Sequence, residues 1–187
     1  MTLRYPDHVV VITGTRKGLG RSLSDHFLAE GAQVVGISRG EGTIAHERYD
    51  HHQADIGDDA AVRGVFQQIG RDHGAVVIAV NNAAVMAVRH AMLTPASQAE
   101  EMVRTNLLGG FYVSREAAKL MRKRAMGRII NIGSIASALS PVGEAIYAAT
   151  KSAASTLTSV LAKEFAGYGI TVNAVGVTAL ETDMLEQ

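Results

Sequence analysis

The sequence predicts a single-domain α/β chain with a doubly wound parallel sheet, and three observations carry that expectation. Short β-branched runs alternate along the chain with longer stretches of helical period. The runs are apolar without interruption, as VVVIT at residues 9–13 illustrates, which suits strands buried on both faces. A glycine-rich segment at residues 14–20 follows the first run directly and opens a helical pattern.

Taken in order, strands are expected at 9–13, 33–38, 51–54, 76–81, 128–132 and 170–175. Helices are expected at 18–30, 58–72, 96–125 and 145–168, the third breaking near Glu100. Gly31 closes the first helix, and Asp58 and Asp59 place acidic groups at the positive end of the second. The connection at 39–50 carries little helical pattern and reads as a loop or a single turn. Right-handed crossovers between such strands wind the sheet in both directions. No repeat, low-complexity tract or linker divides residues 1–187 into two domains.

Composition narrows the function classes. Lysine plus arginine and aspartate plus glutamate each total 18, so the net charge is zero and no basic footprint for a nucleic acid is present. No apolar run approaches the ~20 residues that span a bilayer, and the N-terminus runs into a strand without the pattern of a signal peptide. Cysteine is absent, which removes thiolate chemistry and fits a cytoplasmic setting. His46, His51 and His52 lie in a polar stretch without the spacing of a metal site, so no metal is expected.

The chemistry-bearing residues fall at strand ends. In Thr13-Gly14-Thr15-Arg16-Lys17-Gly18-Leu19-Gly20, Gly14 suits a tight turn, Gly18 lets backbone approach a pyrophosphate, and Gly20 allows close packing of helix on strand. The helix that follows offers free N–H groups and its dipole to phosphates. Tyr147 and Lys151 stand four residues apart on a predicted helix, hence on one face. An ammonium ~4 Å from a phenol supplies about 4 kcal/mol at an effective dielectric of ~20, enough to lower its pKa by ~3.

Five elements in register, TGxxxGxG at 13–20, Asn81-Asn82-Ala83-Ala84, Asn106 in TNLLG, Ser134 in NIGS, and Tyr147…Lys151 as YxxxK, resemble the short-chain dehydrogenase/reductase family over residues 9–175. The resemblance implies a Rossmann-like fold and a nicotinamide-dependent oxidoreductase that interconverts a ketone and a secondary alcohol, with 3-oxoacyl reductases as the default comparison. It implies that Tyr147 is the general acid/base, that Lys151 activates it and holds the nicotinamide ribose, and that Ser134 positions the substrate oxygen. Asn106 would hold a water linking Lys151 to solvent. It also implies that Asn82, Ala83 and Ala84 wall the cofactor site, that Asp55 accepts from the adenine amino group, and that Gly14, Arg16, Lys17, Gly18, Leu19, Gly20, Ser38, Arg39 and Ile56 complete the cofactor contacts.

Cofactor choice turns on the second strand's end. Ser38-Arg39 stands where a carboxylate would select NAD(H), and Lys17 and Arg39 together suit a 2′-phosphate. NADP(H) is therefore favoured, with NAD(H) possible if both cations are only solvated surface groups. Asp55 could equally be a helix cap, and Ser134 and Asn106 each have plain structural alternatives. Ala84 replaces the family's glycine, so the turn there tolerates alanine or follows another path.

Further along, Val177 and Thr178 occupy the family's Pro-Gly positions, with Gly176 a partial substitute and Thr182 a candidate nicotinamide contact or helix cap. Up to Gln187 the chain is expected to lack the family's substrate-covering helices and seventh strand, leaving the sixth strand as an edge. Side chains around Val85, Met86, Ile135 and Ala136 would make an apolar substrate pocket for a small-molecule carbonyl or alcohol. The long helices imply a homo-oligomer, dimer or tetramer, although Leu107, Leu108, Phe111, Val113, Leu157, Val160, Leu161 and Phe165 also serve the core. A rival reading is a dinucleotide-binding sensor or partner subunit with little turnover.

Overall fold

The structure is a computed structural model that describes residues 3–178. Its six strands are β1 (Val9–Thr13), β2 (Gln33–Ser38), β3 (Tyr49–Gln53), β4 (Ile78–Asn81), β5 (Gly127–Ser134) and β6 (Ile170–Val177). All pair in parallel in the order β3-β2-β1-β4-β5-β6, so the direction of winding reverses between β1 and β4. In such a sheet the crevice beyond the strand C-termini at that reversal is where a ligand fits.

Alternation along β1 builds both layers of core. Val9 and Val11 pack with Val35, Ile37, Val113, Met121 and Leu161 on one face. Val10 and Ile12 pack with Phe27, Leu28, Val34 and Val80 on the other. Helix α1 (Gly18–Ala29) covers the second face, and α2 (Asp59–Asp72) belongs to the first. Asp58 caps α2 by accepting from the N–H groups of Ala60 and Ala61. The 39–50 connection holds no helix.

The expected break near Glu100 is not there. Helix α3 (Ala96–Val103) runs through it into a π-helical segment, Arg104–Gly109, and on into α4 (Gly110–Met121). The widened turn falls on Thr105 and Asn106, both buried, and such turns re-aim side chains where a site needs them. A short α5 (Ala136–Leu139) and the long α6 (Ala145–Phe165) flank β5. Among the described residues β6 forms one edge of the sheet and runs through Val177, with Gly133 and Ser134 of β5 opposite Gly176 and Val177, so the chain is still extended at the first of the expected Pro-Gly positions. Among the described residues no helix is long and apolar enough to cross a membrane.

Candidate functional site

At the reversal point a cavity of about 300 Å³ opens over the strand ends. Its lining runs from Gly14, Arg16, Lys17, Gly18 and Leu19, past Ser38, Arg39, Asp55 and Ile56, to Asn82, Ala83, Ala84, Tyr147 and Lys151. The geometry thus brings together all but four of the expected site residues on one continuous cleft. Gly20 lies beneath it, Asn106 and Ser134 stand beside it, and Thr182 lies outside the described residues.

The glycine turn is shaped by close approach. Gly14 (φ +75°) and Gly18 (φ +56°) both take left-handed backbone angles that L side chains rarely adopt. A Cβ on Gly20 would lie 2.2 Å from the Gly14 carbonyl oxygen and 2.5 Å from Asn82 Nδ2, so only glycine lets α1 pack this near β1. Asn82 braces the turn by donating from Nδ2 to the Thr13 carbonyl at 2.9 Å. The first turn of α1 has no side-chain cap, and Lys17, Gly18 and Leu19 at its start line the cleft. These features fit a dinucleotide: a cradle that Cβ atoms would fill, with backbone donors for phosphate.

The cations are placed differently from the simplest expectation. Arg39 donates to Glu101 at 2.8 Å, an exposed ion pair that a 2′-phosphate would have to displace or share. Arg16 lies over Gly40, where a Cβ would meet its guanidinium at 2.5 Å, and so places another cation at this corner. The Ser38 hydroxyl is turned inward, donating to the Gly40 carbonyl at 3.1 Å. Asp55 accepts from Gly57 N–H at 2.9 Å and pairs with Arg104, leaving the cap of α2 to Asp58. Ala84 has no positive φ, so the wall here does not need the glycine that the motif suggested.

At the other end, Tyr147 and Lys151 sit on α6, both buried. Lys151 Nζ donates to the Ile132 carbonyl at 2.8 Å and lies 5.7 Å from the centre of the Tyr147 ring. Burial lowers the Lys151 amine from 10.5 to about 8. Burial also pushes the Tyr147 phenol up, with a hydrogen bond to Ser134 acting the other way and Glu144 adding to the rise. The expected depression of Tyr147 is therefore corrected here: desolvation outweighs the hydrogen bond to Ser134. Ser134 serves twice, bonding Tyr147 and accepting from Ala136 N–H at 3.1 Å to open α5.

Asn106 clamps backbone. Its Oδ1 accepts from Val85 N–H and its Nδ2 donates to Val85 O, both at 2.8 Å, and Nδ2 also reaches Thr150 Oγ1 at 3.2 Å. A small cavity of about 20 Å³ between Asn106, Asn81, Asn131 and Lys151 is large enough for about one water. Sequence reasoning missed Ile37, Gly40, Ala54, Thr105, Ile132 and Gly133 as lining residues; Thr105 lies in the π-helical turn and the others at strand ends or in loop backbone, without a distinctive side-chain signal. Among the described residues no group of three or more histidines and carboxylates is placed to hold a metal.

Fold, cleft and the Ser134–Tyr147–Lys151 cluster together define a dinucleotide-dependent dehydrogenase. The chain belongs to the short-chain dehydrogenase family, which it matches over residues 8–187. It is 32% identical over 189 residues to the 3-oxoacyl-[acyl-carrier-protein] reductase FabG of Salmonella typhimurium, covering 97% of this chain and 77% of that one. The corresponding reductase MabA of Mycobacterium bovis is 29% identical over 175 residues, 94% of this chain and 70% of that one. Among solved structures, a gluconate 5-dehydrogenase from Burkholderia cenocepacia in complex with NADP and tartrate superposes with a TM-score of 0.89 at 30% identity, covering 98% of this chain and 75% of that one.

Proposed function

We propose that the protein is an NADP(H)-preferring oxidoreductase that interconverts a ketone and a secondary alcohol, with Tyr147 as general acid/base. The observation that carries this is one cleft joining a glycine turn and three cations, Arg16, Lys17 and Arg39, to buried Tyr147 and Lys151, with half-buried Ser134 beside them. The similar reductases are named for 3-oxoacyl-[acyl-carrier-protein] and the similar structure holds NADP, which supports both the reaction class and the cofactor.

The residues divide the work by position. Gly14, Gly18, Leu19 and Gly20, with the N–H groups of α1, would hold the pyrophosphate, while Arg16, Lys17 and Arg39 would meet a 2′-phosphate. Asp55, Ile56, Asn82, Ala83 and Ala84 would wall the adenosine and the nicotinamide side, and Lys151 would hold the nicotinamide ribose. Thr182, outside the described residues, would contact the carboxamide. When bound, the cofactor supplies or accepts the hydride at the carbonyl carbon. Tyr147, kept protonated by burial, donates its proton to the carbonyl oxygen that Ser134 holds in place. The Lys151 charge, 5.7 Å from the ring, then stabilises the resulting phenolate by on the order of 3 kcal/mol at an effective dielectric of ~20. Asn106 fixes the Val85 loop opposite and borders the small cavity through which a water would reprotonate the site.

Val85, Met86 and Ala136 form an apolar cluster with Tyr147 that suits an uncharged substrate segment. Leu108 and Val160 on the long helices stay exposed and suit a homo-oligomer interface. A pure sensor is not favoured, because binding alone has no chemical use for Ser134, Tyr147 and Lys151. The test is NADPH and NADH oxidation with a panel of ketones, for this chain and its Tyr147→Phe variant. Turnover that is faster with NADPH and lost in the variant is expected; NADPH binding without any reduction would overturn the enzymatic reading.

A further inference from the structure

A row of side chains on β3 connects the two cofactor-facing turns. Tyr49, His51 and Gln53 are two apart, share one face of the sheet, and lie opposite Val34, Gly36 and Ser38 of β2. His51 Nε2 is 2.9 Å from the Gly40 carbonyl oxygen. A carbonyl only accepts, so Nε2 carries the hydrogen and Nδ1 accepts from the Tyr49 hydroxyl at 2.9 Å. Tyr49 in turn accepts from Thr15 Oγ1, at 2.9 Å, in the glycine turn. Gln53 Nε2 donates to the Arg39 carbonyl at 2.9 Å, so β3 holds two consecutive carbonyls of the turn that carries Arg39.

Gly36 makes the room for this chain of bonds. A Cβ there would lie 2.0 Å from the Tyr49 hydroxyl oxygen and 2.6 Å from Thr15 Oγ1. A glycine inside a buried strand is otherwise unfavourable, so its place here has a packing reason.

We propose that Tyr49, His51 and Gln53 are positioning residues for cofactor selectivity, holding the turn at 38–40 so that it receives the 2′-phosphate of NADP(H). They act through the turn and touch no reacting atom. This inference rests on the NADP(H) reading above. Because NAD(H) places no phosphate on that turn, loosening the turn weakens one cofactor and spares the other.

The experiment measures Kd for NADPH and NADH by calorimetry, with kcat at saturating NADPH, for the wild type, His51→Leu and His51→Gln. His51→Leu is expected to raise the NADPH Kd about tenfold and the NADH Kd less than about twofold, with kcat retained. His51→Gln, whose amide can still donate to Gly40, is expected to recover most of the loss. Equal loss for both cofactors, or an unchanged NADPH-to-NADH ratio in a wild type that prefers NADPH, overturns the inference alone. A wild type without preference for NADPH overturns the cofactor reading and this inference with it. Should His51→Leu not fold, Tyr49→Phe keeps the ring, removes the hydroxyl and must show the same selective loss.

Discussion

Replacing Lys151 with methionine should abolish turnover and yet stabilise the cofactor-free chain at pH 7. The side chain is buried with its amine held near pKa 8, whereas an unfolded chain keeps the proton up to 10.5. Between those values the unfolded state binds more protons, so wild-type stability rises with pH across that window, and below it the full cost remains. At ~1.4 kcal/mol per pH unit the cost is roughly 3 kcal/mol. Methionine has similar length and no charge, but it forfeits the bond to the Ile132 carbonyl, about 2 kcal/mol for a charged donor. The net expectation at pH 7 is a gain of about 1 kcal/mol, turning into a loss by pH 10.5. Urea denaturation of both proteins at pH 7, 9 and 10.5 reads this directly, since every other titrating group is common to the two. Parallel stability curves across that range would refute the claim that burial of the amine is what lowers its pKa.

Other perturbations probe the rest of the cleft. Asn106→Ala leaves the Val85 N–H and carbonyl without partners and should lower stability by about 2–4 kcal/mol, read as a shifted urea midpoint with unchanged slope. Gly20→Ala forces a Cβ to within 2.2 Å of the Gly14 carbonyl oxygen; loss of measurable NADPH binding is expected in calorimetry, and normal binding would show that the turn can yield. Glu101→Gln frees Arg39 from its exposed partner and should tighten NADPH by up to about fivefold at low salt while leaving NADH unchanged. The same titration at high salt should erase most of that gain.

Much of this was legible in the sequence because it depends on neighbours along the chain. Apolar continuity located the strands, and the spacing of Gly14, Gly18 and Gly20 located the glycine turn, since turn and helix start are set within a few residues. Tyr147 and Lys151 were readable as a pair because four residues make one helical turn. The π-helical turn at Arg104–Gly109 was not, because helical periodicity scarcely changes when one turn widens, and a break at Glu100 looked as good.

What only the tertiary structure decided are the bonds between distant segments. Arg39 meets Glu101, Asn106 meets Val85, and His51 reaches Gly40 across the edge of the sheet. The pKa of Tyr147 belongs here too: spacing put a lysine nearby, but burial by the folded chain pushes the phenol up. A short motif specifies which groups are available; their partners, distances and desolvation come from strands and helices that the sheet order alone brings together.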